Sequence, residues 1–430
     1  MRLPFTVTLL AILVVTFWET GDPLPASRNS ERAIALYDSD PTHLWNRLCA
    51  LIVREDAPEI LDGVDSLDPL LWPETEHLLA GPSHARALRV LDEFLQTHAE
   101  NLIRDPVKRA ILQRDLWAVF DWSAQQQSAS RRPDYVNEKR ELQSRLAEVL
   151  RRLAITPKEI ESLPNNYAQA VASGSFAKEY DPAHREQAFL PPDLLDPRGP
   201  WVYIDSSPEA FNSGGVAQAH VQAFSGRSRF LVFMRLPEGR KATLAYLQTL
   251  WNFPEPWVHG PESADDQSIV NSNLPSFPAG TEVALVRQMV LFDNQGNLAP
   301  APITESVQIR AYHSITATPP RYFSGDWAQV IKNSGQDFYE VRLSRPLLFA
   351  GKDGGLRATG REEKELSTFQ QQGDDEIEEM EEHPEFKKMW APALQTCLSC
   401  HSGGGVHSLN SLEKILKPNR RQQDDPGVGP

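Results

Sequence analysis

The chain has 430 residues, with 43 Lys and Arg against 58 Asp and Glu, so its formal net charge at pH 7 is −15. Such an acidic chain lacks the basic footprint that nucleic acid or an anionic membrane surface requires, which excludes these as expected partners. Hydrophobic residues make up 40% of the chain, enough for a buried core, which excludes wholesale disorder. The length predicts two or three domains.

The first residues have the layout of an export signal. Arg2 precedes an almost unbroken apolar run over residues 3–18. This run is shorter than the roughly 20 residues that a membrane-spanning helix needs, and cleavage after Ala26 predicts a signal peptide over residues 1–26. Retention of residues 3–18 as a membrane anchor is the alternative. Either form predicts a periplasmic or otherwise extracytoplasmic protein.

Apolar residues then recur every three or four positions and predict a helical domain over residues 31–165. Thr156 with Glu159 three positions later predicts the start of a helix. Cys49 and His98 lie on apolar stripes, which predicts a small buried thiol and a core histidine. The main stripes are Leu44, Leu48, Leu51 and Ile52; Leu88, Leu91, Leu95, His98 and Leu102; Ile111, Leu112, Leu116 and Phe120; and Leu142, Leu146, Val149, Leu150 and Leu153.

Beyond this region the hydrophobic period falls towards two, which predicts a β-rich domain over residues 195–350. Few segments are long enough for crossover helices, so the sheet is expected to be antiparallel. The predicted strands form two hairpins and one further segment: His220–Phe224 with Phe230–Met234, Val283–Phe292 with Val307–Tyr312, and Phe338–Leu343.

An acidic stretch follows over residues 361–385. Between Glu362 and Glu385 it contains eleven acidic residues and one basic residue, Lys364. Such a composition predicts a solvated linker or an exposed helix. The alternative is a docking strip that attracts a basic redox partner, since opposite charge raises encounter rates.

The sequence from Cys397 to His401 reads Cys-Leu-Ser-Cys-His, a C-x-x-C-H pattern. With 3 Cys and 11 His in the chain, the pattern is expected by chance roughly 0.0005 times. Cys397 and Cys400 are spaced to form thioethers with the two vinyl groups of one porphyrin, and the adjacent imidazole of His401 then lies under the iron. The pattern therefore predicts one covalently bound haem c.

Three other interpretations of the pattern remain open. Two exported cysteines can form a disulfide. A thioredoxin-like redox pair has the same C-x-x-C spacing, but only 29 residues follow His401, too few for the sheet that such a fold needs. A zinc site would use Cys397, Cys400, His401 and His407, although their spacing is not that of a standard zinc finger.

The pattern and its surroundings over residues 386–421 resemble c-type cytochromes. The resemblance implies thioether links at Cys397 and Cys400 and a proximal iron ligand at His401. With the preceding segments it predicts an α+β fold: an N-terminal helical unit, a central antiparallel β-rich unit and a short C-terminal helical haem-c module. The chain departs from the commonest small cytochromes because no methionine follows His401.

The distal iron ligand must therefore come from elsewhere in the chain. Met380, His383 and Met389 precede the motif closely and are the candidate distal ligands. His407 follows His401 too closely to reach the opposite porphyrin face. More distant candidates lie in the predicted β-rich unit: His220, Met234, His259, Met289 and His313.

Three functions fit this cofactor. Electron transfer with a redox partner protein is the favoured one, because ligation and burial by the protein set the haem potential. The alternatives are a peroxidase-like oxidoreductase with an open iron site and a haem-bearing binding or scaffold protein. The distal ligand decides between a saturated carrier and an open site. The sequence shows no P-loop, H-E-x-x-H or G-x-S-x-G motif, so no other catalytic residues are assigned.

Overall fold

The chain is seen here in a computed structural model, and all described residues belong to one compact unit, Ala33–Pro430. The predicted signal peptide or anchor lies outside the described residues. The structure describes residues 35–52, 78–79, 81–125, 135–204, 217, 220, 224, 226–259, 268–315, 335–361, 363–366, 390–392, 394, 401 and 403–409.

Helices form the first part of the chain, and their apolar stripes face the core. In α4, for example, the leucines and valine of the predicted stripe are all buried. A reciprocal pair of hydrogen bonds between Thr156 and Glu159 starts α5, as the sequence predicted. The α-helices with described bounds are α1 (Leu44–Ile52), α2 (Gly81–Gln96), α3 (Pro106–Gln125), α4 (Val136–Leu153), α5 (Pro157–Glu161), α6 (Asn166–Ser173), α7 (Arg240–Trp251) and α8 (Arg345–Phe349).

The prediction of a core histidine at His98 is wrong. Helix α2 ends at Gln96, and His98 has a left-handed backbone with φ of 51°, so the helical period no longer holds there. Its ring is exposed and contacts Glu100 and Arg152. Cys49, in contrast, is buried as predicted.

Six antiparallel strands form the main sheet, in the order β1-β2-β5-β6-β7-β8. The described strands are β1 (Val202–Tyr203), β2 (Ser228–Arg235), β3 (Trp257–His259), β4 (Ser268–Val270), β5 (Glu282–Phe292), β6 (Leu298–Tyr312), β7 (Gln336–Leu343), β8 (Leu356–Ala358), β9 (Lys364–Leu366) and β10 (Trp390–Pro392). The pairs β3–β4 and β9–β10 form two separate two-stranded ladders. Helices together with an antiparallel sheet give the mixed α+β fold that the sequence predicted.

One predicted hairpin is present and the other is wrong. Strands β5 and β6 form an antiparallel hairpin across the predicted loop. The two described residues of the predicted strand, His220 and Phe224, are not among the residues paired with β2, whose described partners are β1 and β5. His220 and Phe224 instead have helical backbone. The alternating apolar pattern suits a strand, but β2 pairs with β5 along its whole length and with β1 at Phe233 and Met234.

The two faces of the main sheet have different neighbours. Residues directly opposite each other in an antiparallel sheet point to the same face. Leu231, Val286 and Val307 lie on the helical face, in one hydrophobic cluster with residues of α1–α4. On the other face, here called the second face, Met234, Val283 and others pack with α7 and the end of the described chain.

Buried ion pairs tie the helices to the sheet layer. Arg345, at the start of α8, makes a two-pronged ion pair with Asp115 of α3, and both side chains are almost fully buried. Arg114 of α3 pairs with Glu305 of β6 at 3.1 Å, again with both side chains buried. In the described part of the chain, no helix combines the length and apolar character needed to cross a membrane.

The Cys49 thiol is expected to resist alkylation in the folded protein. It is 5% exposed, and burial together with the nearby Asp115 raises its pKa to about 12. The reactive thiolate is therefore scarce at about pH 8. Iodoacetamide treatment followed by mass spectrometry should label Cys49 only after unfolding, and a Cys49→Ser variant should lose that label. Rapid labelling of Cys49 in the folded protein would contradict its burial.

Candidate functional site

Of the three predicted haem-attachment residues, His401 is among the described residues. Cys397 and Cys400 lie outside them, as do the distal candidates Met380, His383 and Met389. Upstream, Trp390–Pro392 pairs antiparallel with Lys364–Leu366, the only described strand within the acidic stretch. This pairing fixes the chain a few residues before the motif.

The His401 ring is oriented by a hydrogen bond to the backbone. Its Nδ1 lies 2.9 Å from the carbonyl oxygen of Ser408. A carbonyl oxygen only accepts hydrogen bonds, so Nδ1 carries the proton and Nε2 keeps its lone pair. Metal-binding histidines characteristically donate their other ring N–H to such an acceptor, which fixes the tautomer and the ring orientation.

Ser408 is in turn anchored to strand β6. The guanidinium of Arg310 donates to the Ser408 carbonyl at 2.9 Å, and the Tyr312 and Ser408 hydroxyls lie 2.6 Å apart. All three residues are largely buried. The acceptor that orients His401 is therefore held by the sheet.

The chain around His401 is also fixed by packing. The side chains of Val406 and Leu409 insert into the cluster on the second face, and Gln336 of β7 donates to the His401 carbonyl at 2.5 Å. Gly405 has φ of 51°, and a side chain there would collide with Ser276. The glycine-rich turn after the motif thus closes onto the sheet as a tight loop, Gly405–Ser408.

The electrostatic surroundings favour a neutral imidazole. Burial and the guanidinium of Arg310 hold the pKa of His401 well below its usual value, against the hydrogen bond to Ser408. The ring is nevertheless partly accessible to solvent. At neutral pH the imidazole is uncharged, and its Nε2 keeps a lone pair that a metal can accept.

His401 offers one neutral imidazole with a fixed tautomer, which is what an axial ligand of a haem iron has to provide. Haem iron needs axial ligands from the protein and no cluster of side chains, because the porphyrin supplies four nitrogens. Among the described residues no group of three or more His, Cys, Asp or Glu side chains converges. The zinc interpretation requires Cys397 and Cys400, which lie outside these residues, and His407 is in the same tight turn as Ser408.

The more distant candidate ligands have different surroundings. Met234 is fully buried in the second-face cluster, and Met289 is fully buried in the cluster on the helical face. The Nε2 atom of His313 lies 2.9 Å from the Arg185 guanidinium. His259 lies in β3. His220 lies on the second face, where His401 is anchored.

Sequence reasoning found His401 but missed the residues that orient it. Arg310 and Tyr312 lie on β6, 98 and 96 residues before Ser408. Their signal is the alternation Gln308, Arg310, Tyr312, which places polar side chains on one face of an otherwise apolar strand.

Comparison of the chain with protein-family models, with curated proteins and with solved structures finds no match.

Proposed function

We propose that this protein is an exported electron-transfer protein that carries one covalently bound haem c. The observation that carries the proposal is the Nδ1–H···O bond from His401 to Ser408, next to the sequence Cys397-Leu398-Ser399-Cys400-His401. The motif supplies the attachment chemistry and the hydrogen bond supplies the tautomer that iron ligation requires.

Cys397 and Cys400 form the covalent links. Each thiol adds across one vinyl double bond: a C–S bond forms, the sulfhydryl hydrogen goes to the neighbouring vinyl carbon, and no net oxidation occurs. This reaction requires both thiols to be reduced. A disulfide between them therefore competes with attachment after export.

His401 holds the iron through Nε2, and the bound haem supplies one-electron redox chemistry. Arg310 acts on this ligand in two ways. Its hydrogen bond keeps Ser408 in place, and its positive charge favours the reduced state, which carries one electron more. The chain thus provides orientation, burial and charge, which are the properties by which a protein sets a haem potential.

A redox partner with a basic surface fits the charge of the chain. The net charge is −15, and eleven acidic residues fall within Glu362–Glu385. The rate of association with such a partner is expected to rise as the ionic strength falls. A peroxidase-like reaction would need an accessible iron, so ready binding of carbon monoxide by the ferrous protein would favour that reaction over electron transfer.

The proposal is tested by producing the full chain in a host that attaches haem c. Wild-type protein is expected to keep its haem on a denaturing gel, and its pyridine haemochrome spectrum is expected to be that of a haem with both vinyl groups saturated. A Cys397→Ser/Cys400→Ser variant should lose the haem band. Cys49→Ser is the matched control, because Cys49 is buried in the helical core, and it should keep the band. Wild-type protein without covalent haem would overturn the proposal.

A further inference from the structure

Arg310 is a buried cation beside His401. Its residue is 8% exposed, and its cross-strand neighbours on the second face are the apolar residues Val283 and Phe338. Its Nη1 donates to the carbonyl oxygen of Ser408 at 2.9 Å, and the same oxygen accepts from His401 Nδ1 at 2.9 Å. The guanidinium and the imidazole therefore share one acceptor.

No carboxylate compensates the charge of Arg310 in the described part of the chain. Its hydrogen-bond acceptors there are the carbonyl and the hydroxyl of Ser408, which are both neutral. The acidic residue Glu340, on the same face of β7, pairs instead with Arg342 at 2.6 Å. Burial raises the pKa of Tyr312, so its hydroxyl stays protonated and supplies no negative charge.

The other buried arginines have the partner that Arg310 lacks. Five arginines are buried among the described residues, and four of them lie within 3.5 Å of a carboxylate oxygen. A buried guanidinium is strongly unfavourable without a counter-ion, because it has lost its hydration. The four pairs are Arg114–Glu305, Arg227–Asp121, Arg287–Glu305 and Arg345–Asp115.

Arg310 also keeps hydrogen-bond donors free. A guanidinium has five N–H donors, in a planar fork that matches a carboxylate or an oxyanion. The bonds of Arg310 to described residues use Nη1, and its Nε and Nη2 are not among the enclosed atoms that lack a partner. Those donors therefore reach an opening. The neighbouring hydroxyls are already used, since Tyr312 donates to Ser408 and Ser408 donates to the Gly405 carbonyl.

We propose that Arg310 anchors an anion-binding site beside His401, which takes a carboxylate or a small oxyanion. Charge-assisted bonds from the free edge of the guanidinium hold the anion, and the anion supplies the missing counter-charge. Two sources can provide this group. One is a propionate of the haem, and that source rests on the proposed function. The other is a free anion from solution, which does not depend on haem.

The first test follows the midpoint potential of the haem-bearing protein between about pH 5 and pH 8. A guanidinium partner lowers the pKa of a carboxyl group, so a propionate bound to Arg310 stays ionised and the wild-type potential should change little. In Arg310→Gln the potential should fall as the pH rises, because the unpaired propionate then loses its proton and its charge stabilises the oxidised iron. Arg151→Gln, at an exposed position of α4, is the control and should match the wild type.

The second test is calorimetric titration of the same protein with inorganic phosphate and with acetate at fixed ionic strength. If a propionate occupies the site, haem-bearing wild-type protein should bind neither anion. If the site takes free anions, wild-type protein should bind one per chain, and Arg310→Gln should bind it roughly tenfold or more weakly.

A second variant guards against misfolding of Arg310→Gln. Arg310→Lys keeps the positive charge but loses the planar fork. It should retain the flat potential of a protein with a bound propionate, or, where free anions bind, should bind them several-fold more weakly than the wild type.

Two results would overturn this inference and leave the covalent haem intact. One is a wild-type protein that binds neither anion and whose potential falls as the pH rises. The other is an Arg310→Gln protein that matches the wild type in both measurements. If the mature protein carries no haem, the proposed function fails and the anion titrations decide this inference alone. Binding that is weakened in Arg310→Gln would then support the site, and absence of binding would overturn it.

Discussion

Replacing Asp115 by alanine is expected to lower the free energy of unfolding by about 3–5 kcal/mol. The substitution leaves the Arg345 guanidinium buried without its counter-ion, in a position where both side chains are nearly inaccessible to water. The desolvation cost of the unpaired cation, rather than the loss of one contact, accounts for the size of the effect. Urea unfolding followed by far-ultraviolet circular dichroism measures it.

An exposed ion pair of the same chain provides the control. Arg151 and Glu148 pair on the surface of α4, where the Arg151 side chain is 71% exposed. Arg151→Ala should therefore cost no more than about 0.5 kcal/mol. A double variant, Asp115→Leu/Arg345→Met, should recover much of the lost stability because it removes both charges. An Asp115→Ala cost as small as that of Arg151→Ala would show that the pair does not hold α8 against α3.

Replacing His401 by alanine is expected to remove the proximal iron ligand. In the proposed protein, Cys397 and Cys400 still hold the porphyrin, but the iron loses its fixed imidazole. Haem-bearing His401→Ala protein should therefore lose the wild-type low-spin spectrum, and added imidazole should restore part of it. Ultraviolet–visible and electron paramagnetic resonance spectra at equal haem content measure the change.

His407 provides the matched control for this variant. It lies in the turn that follows the motif, six residues after His401 and next to Ser408. His407 has no proposed role in iron ligation, so His407→Ala should retain the wild-type spectrum. Loss of the low-spin spectrum in His407→Ala, with His401→Ala unchanged, would contradict the assignment of the proximal ligand.

The parts of the fold that depend on local pattern could be predicted from the sequence. The stripe of α4 and the reciprocal hydrogen bonds at Thr156 arise from residues three or four positions apart. The hairpin of β5 and β6 arises from two alternating runs around one turn. The apolar pattern runs on to Leu102 and does not show that α2 ends at Gln96, or that His98 has a left-handed backbone, so the prediction of a core histidine fails there.

The same distinction between local sequence patterns and long-range contacts applies to the candidate site. His401 could be predicted because five consecutive residues carry the signal. Arg310, Gln336 and Ser408 could not be grouped with it, since their proximity depends on strand order and on the return of the chain to the second face. The alternation around His220 resembles a strand and predicts a hairpin with β2, whereas the described pairing partners of β2 lie elsewhere in the chain.

Intact mass spectrometry of the mature protein from its own host tests the central claim most directly. The expected result is a polypeptide that carries the added mass of one haem, with Cys397 and Cys400 blocked and Cys49 as the one alkylatable thiol after unfolding. A polypeptide of unmodified mass, with Cys397 and Cys400 present as free thiols or joined to each other, would contradict it.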